Sequence, residues 1–90
     1  MRKILFTTVA TLIAAVTFAS TSAQAASPFF CNIYAQQAVW AEGQNLADSC
    51  GYAGPRWSFD YAGHYAWCLT VPKGVANAER NARKWGLISC

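Results

Sequence analysis

The sequence predicts an all-α fold, a small disulfide-stabilised bundle of about three helices that remains after a secretory signal is removed. Three observations lead there. Apolar residues recur at three- and four-residue steps in the middle and last parts of the chain. Four cysteines, an even number, all follow residue 30 of a 90-residue chain. The first 25 residues read as an export signal rather than as part of a fold.

The signal has a positive start at Arg2 and Lys3, an apolar run from Ile4 to Phe18, and small residues at alternate positions in Ala23-Gln24-Ala25. Cleavage is expected after Ala25. The run is short for a bilayer span, which needs about 20 residues, and no stop-transfer pattern follows. No Leu-led small-residue box precedes Cys31, so lipid attachment is not expected. Residues 26–90 are then a single domain without a transmembrane anchor, periplasmic or secreted. Its cysteines sit in an oxidising compartment.

Charge limits the partners. Beyond residue 25 stand Arg56, Lys73, Arg80, Arg83 and Lys84 against Glu42, Asp48, Asp60 and Glu79, a net charge near +1. A nearly neutral domain has no strong electrostatic reason to bind nucleic acid or an anionic membrane. A domain of about 65 residues also has a marginal core. Eleven aromatic residues, including Tyr34, Trp40, Trp57, Trp67 and Trp85, and two potential disulfides compensate for that.

Residues 26–30 read as a loose lead-in, because Pro28 opposes helical geometry in the residue before it. A first helix is expected from Cys31, with Cys31, Tyr34, Ala35, Ala38, Val39, Glu42 and Leu46 along one face. Cys50-Gly51 would stop it, Gly51 supplying the left-handed cap. Tyr52 to Ser58 reads as a turn around Gly54-Pro55. Ser58 or Asp60 would cap a second helix running to about Leu69, closed by Val71-Pro72-Lys73-Gly74. In the third helix Val75, Ala78, Ala82, Trp85 and Ser89 would face inward, with Glu79, Arg80, Arg83 and Lys84 outside.

This sketch chooses among three cysteine pairings. Cys31 and Cys50 lie at opposite ends of one helix, nearly 30 Å apart at about 1.5 Å per residue, beyond disulfide reach. Short loops make successive helices antiparallel. The expected pairs are therefore Cys31–Cys68 and Cys50–Cys90.

Chemistry is sparse. Asp60, His64 and Cys68 stand four apart on the second helix, a spacing that suits a catalytic or metal constellation. An oxidised Cys68 is neither nucleophile nor ligand, and one His with one carboxylate is too few for a structural zinc site. Asp60 is thus expected as a helix cap, and His64 and Trp67 as structural residues; no cofactor or metal is expected. Glu42 and Glu79 are candidates for a glycosidase-type carboxylate pair, but an ion pair of Glu42 with Arg56 is the simpler reading. The sharpest local feature is Gly54-Pro55-Arg56-Trp57, a rigid turn presenting Arg beside Trp. It suits stacking on a sugar or holding a carboxylate. Arg56 and Trp57, flanked by Tyr52 and Tyr61, form the candidate ligand patch. The structural alternative has Trp57 as a core plug and Arg56 paired with an acid such as Asp60.

Cys31-x-x-Tyr34-Ala35, Ala38-Val39, Cys50-Gly51-x-x-Gly54-x-Arg56-Trp57 and His64-x-x-Trp67-Cys68 together resemble a pattern in small secreted bacterial proteins of alphaproteobacterial type, which carry no assigned function. The His64-x-x-Trp67-Cys68 piece is also similar to part of a lectin-like, immunoglobulin-binding bacterial surface family. That resemblance implies glycan binding. The Tyr/Arg-rich segment such a family places after Trp-Cys is replaced here by residues 69–74.

Two functional expectations follow. The first is an exported, non-enzymatic binding module of the cell envelope contacting a glycan or a protein. The second is a small envelope hydrolase or enzyme accessory using His64 with Asp60 or Glu42.

Overall fold

A computed structural model describes residues 24–90; residues 1–23, the bulk of the expected signal, lie outside the described residues. Among the described residues there are three helices: α1 (Pro28–Ala47), α2 (Tyr61–Cys68) and α3 (Lys73–Ser89). The fold is all-α, and α1 packs against both α2 and α3.

Helix α1 begins earlier than expected, at Pro28. Proline at the first helical position lacks only an N–H that would be unpaired there, and its φ is already helical. The Ser27 hydroxyl accepts from the Phe30 N–H at 3.1 Å, so the cap lies one residue before the proline. The segment before it is pinned, not loose. Ala26 is buried and its N–H donates to the Val71 carbonyl at 2.8 Å, beside an isolated antiparallel bridge between Ala25 and Pro72.

At its other end α1 stops at Ala47, before Cys50-Gly51. The Cys50 N–H donates to the Asn45 carbonyl at 2.9 Å and the Ser49 N–H to the Leu46 carbonyl at 3.2 Å. These are the two bonds of a Schellman motif. Its left-handed residue is Ser49, at φ 54°, where glycine is usual. Gly51 is also left-handed, but it lies in the loop that follows.

The buried face of α1 is Cys31, Tyr34, Ala35, Ala38, Ala41 and Asn45. Its second half is rotated by one position from the expected stripe, leaving Leu46 exposed and Asn45 buried. Asn45 is inside because it completes the loop. Its Nδ2 donates to the Tyr52 carbonyl at 2.8 Å, and its Oδ1 accepts from the Tyr52 N–H at 3.1 Å.

Helix α2 is capped by Asp60, whose Oδ1 accepts from the Gly63 N–H at 3.0 Å. Helix α3 starts at Lys73, two residues before the expected Val75, and its phase also differs by one position. Ala76 and Arg83 are buried, while Val75, Ala78, Trp85 and Ser89 are exposed. Trp85 is 61% exposed and Arg83 only 2%. Two contacts favour this phase. Arg83 lays its guanidinium carbon 4.8 Å above the Tyr34 ring, a cation–π contact in a dry setting. Gly86 gives Trp57 a flat seat, since a Cβ there would lie 3.0 Å from the indole Cζ2.

Both bridges join neighbouring elements. Cys31 is bonded to Cys68 and Cys50 to Cys90, with Cα–Cα distances of 5.6 and 5.5 Å. Around the first lies the main core cluster of Ala26, Cys31, Tyr34, Cys68 and Ala76, flanked by Phe30, Tyr65, Leu69 and Val71. Around the second, Trp57 stacks on Tyr52 with ring centroids 4.8 Å apart, and the Tyr52 hydroxyl donates to the Gly86 carbonyl at 2.9 Å. Among the described residues no helix is long and apolar enough to cross a membrane. Two disulfides fit an exported protein.

Candidate functional site

The turn expected to present a ligand patch buries its tryptophan and leaves its arginine at the surface. It closes through the Trp57 N–H and the Gly54 carbonyl at 3.0 Å, with Gly54 left-handed at φ 105°. Trp57 then points inward and is 9% exposed, a core residue between Tyr52 and Gly86. Tyr52 spends its backbone on Asn45 and its hydroxyl on Gly86. Tyr61 lies on α2, stacked on Tyr65 at 6.0 Å and bonded through its hydroxyl to Asn32. Of the four, Arg56 lines a cleft. The proposed patch has lost its tryptophan anchor.

Arg56 has a partner, though neither Asp60 nor Glu42. Its Nε and Nη2 meet the two carboxylate oxygens of Glu79 on α3 at 2.5 and 3.1 Å, a bidentate pair. The hydrogen bond to Glu79 raises the Arg56 pKa above its ordinary value, against a smaller opposing effect of burial. Glu42 is taken by Asn45, whose Nδ2 also donates to Glu42 Oε1 at 2.9 Å. The two glutamates are thus engaged with different partners, neither as one half of a carboxylate pair.

Below Arg56 opens a cleft of about 310 Å³, walled by Tyr34, Ser58, Asp60, His64, Trp67, Glu79 and Arg83. His64 is buried at its edge. Its Nε2 lies 2.9 Å from the Ser58 carbonyl, which can only accept, so Nε2 carries the proton and donates. The Ser58 hydroxyl lies 3.3 Å from the same nitrogen. The imidazole thereby ties the loop to α2, and its ring meets Tyr34 edge-on at 6.5 Å. Trp67 leans against the other side of Tyr34 at 5.7 Å, partly exposed in the cleft wall.

At the cleft floor Arg83 is the residue that the sequence reading placed outside. Its Nη1 lies 4.0 Å from Glu79 Oε2, a stretched contact, because that carboxylate is already committed to Arg56. Its Nη2 is buried without a hydrogen-bond partner.

A second, larger depression of about 650 Å³ runs between α1 and α3. Gln37, Trp40 and Ala41 form one wall; Arg80, Asn81, Arg83, Lys84, Leu87 and Ile88 form the other. Trp40 and Ile88 are each 62% exposed, and Trp85 lies three residues from Ile88 on the same helix. No acidic side chain lines this groove among the described residues. Sequence reasoning missed it because it assigned Trp85 to the core and Arg80 and Lys84 to an undistinguished solvated face. Among the described residues, no three His, Cys, Asp or Glu side chains cluster as metal ligands.

Compared with known proteins, the chain matches no family profile, no curated protein and no solved structure.

Proposed function

We propose that this domain is an exported binding module of the cell envelope, and that its surface for a protein partner is the α1–α3 groove. The observation that carries the reading is Trp40, a 62% exposed tryptophan in a groove whose rim is basic. A domain this small has a marginal core. Leaving Trp40, Trp85 and Ile88 largely in solvent costs folding free energy that a partner would recover. Tryptophan and arginine are also the side chains that most often dominate interfaces.

Charge selects the partner. With Arg80 and Lys84 at the rim and no acid among the groove's lining residues, the complementary occupant is a protein segment that seats an apolar side chain against Trp40 and Ile88 and sets carboxylates on the rim. Binding fits better than hydrolysis because His64, Asp60 and Glu42 each already hold a structural partner.

Panning a random peptide library against the oxidised domain tests this. Enriched peptides should pair Asp or Glu with Trp, Phe or Leu, and should lose binding to a Trp40→Ser, Ile88→Ser double variant. Enrichment without acids, or binding indifferent to the double variant, would overturn the reading. So would a glycan-array signal with no peptide enrichment.

A further inference from the structure

In the cleft under the Gly54-Pro55 turn, which shares Arg83 with the groove, only one of the two acids reaches a guanidinium. Two guanidinium groups, Arg56 and Arg83, face a single shared carboxylate, Glu79. Arg56 holds it at 2.5 and 3.1 Å, while Arg83, with a side chain only 3% exposed, is left at 4.0 Å with Nη2 unpartnered. The other acid of the cleft, Asp60, is spent on capping α2 and forms no ion pair with either arginine. A buried guanidinium with an unmade hydrogen bond is costly, because its water has been removed without replacement.

We infer that this cleft binds a small cyclic monocarboxylate, which takes the place of Glu79 on Arg56 and releases Glu79 to close on Arg83. The exchange leaves each guanidinium with its own carboxylate. Arg56 is suited to be the receiving group. Its side chain is 47% exposed, and it stands on a turn whose Gly-Pro backbone is already ordered, so little entropy is lost on contact. A guanidinium fork matches a carboxylate with two parallel bonds. The cleft volume of about 310 Å³ is at the small end for ligand sites and suits a single ring, which would lie against the partly exposed face of Trp67.

The test is an NMR titration of the oxidised domain with glucuronate and with benzoate, against glucose and benzamide as neutral counterparts and sulfate as a general anion. Saturable shifts of the Arg56 and Arg83 Nε–Hε signals and of the Trp67 indole signal are expected with at least one carboxylate and with neither neutral probe. Removing the competing internal carboxylate by Glu79→Gln should tighten binding about tenfold, and Arg56→Gln should weaken it about tenfold. Both positions are at the surface or half-buried, so these variants avoid the folding risk of replacing Arg83. Equal responses to sulfate, shifts with the neutral probes, or unchanged affinity in Glu79→Gln would overturn the inference. The groove variants Trp40→Ser and Ile88→Ser should leave this titration unaltered, which keeps the two sites distinguishable.

Discussion

The side-chain amide of Asn45 forms a closed two-bond ring with the backbone of Tyr52, donating to its carbonyl at 2.8 Å and accepting from its N–H at 3.1 Å. One buried amide therefore substitutes for a strand partner and fixes where the chain leaves α1. It also places the Tyr52 ring under Trp57. Replacing Asn45 with Ala strands two backbone groups in a half-buried setting. The expected cost is about 2–4 kcal/mol, at roughly 1–3 kcal/mol for each unsatisfied group less what water recovers. Urea unfolding of Asn45→Ala checks this; a loss below about 0.5 kcal/mol would show that the loop does not depend on the ring.

Ser49 carries the opposite expectation. It holds the left-handed position of the Schellman motif with a Cβ that disfavours it. Ser49→Gly should raise stability by up to about 1 kcal/mol and the melting temperature by several degrees.

The two bridges close segments of 37 and 40 residues. In the chain-entropy picture each stabilises the fold by about 4 kcal/mol, comparable with the whole stability of a domain this small. Thermal melts followed by circular dichroism should therefore lose their cooperative transition on full reduction. Non-reducing peptide mapping should return Cys31 with Cys68 and Cys50 with Cys90.

Much of the architecture was legible in the sequence, and the misplacements share one cause. The helix count among the described residues, the cysteine pairing, the Asp60 cap and the turn at Gly54-Pro55 follow from local chemistry. Asn45 and Arg83 were misplaced because Ala-rich helices can be read in two phases, and counting apolar residues chose the wrong one. The cysteines held the missing information. Asn45 lies fourteen residues after Cys31, and Arg83 lies seven before Cys90. Seven residues is nearly two helical turns, so a cysteine that must face its partner turns those positions inward too. Polar residue type outweighed that geometric signal. The Arg56–Glu79 pair was not legible, since it depends on how α3 lies beneath the turn.

His64 separates a structural imidazole from a catalytic one. His64→Gln should cost about 1–2 kcal/mol through lost packing on Tyr34 and a weakened bond to the Ser58 carbonyl. Peptide binding at the α1–α3 groove should be unaffected. Calorimetric melting and a binding isotherm on the same sample check both halves.

Helix α3 turns Arg83 inward and leaves Trp85 in solvent, as α1 leaves Trp40. Hydroxyl-radical footprinting of the oxidised domain, read by mass spectrometry at each tryptophan, tests this arrangement most directly. Rapid modification of Trp40 and Trp85, slower modification of Trp67 and protection of Trp57 are expected. Protection of Trp85 with ready modification of Trp57 would overturn this arrangement, restoring the opposite phase of α3 and exposing the indole of the turn.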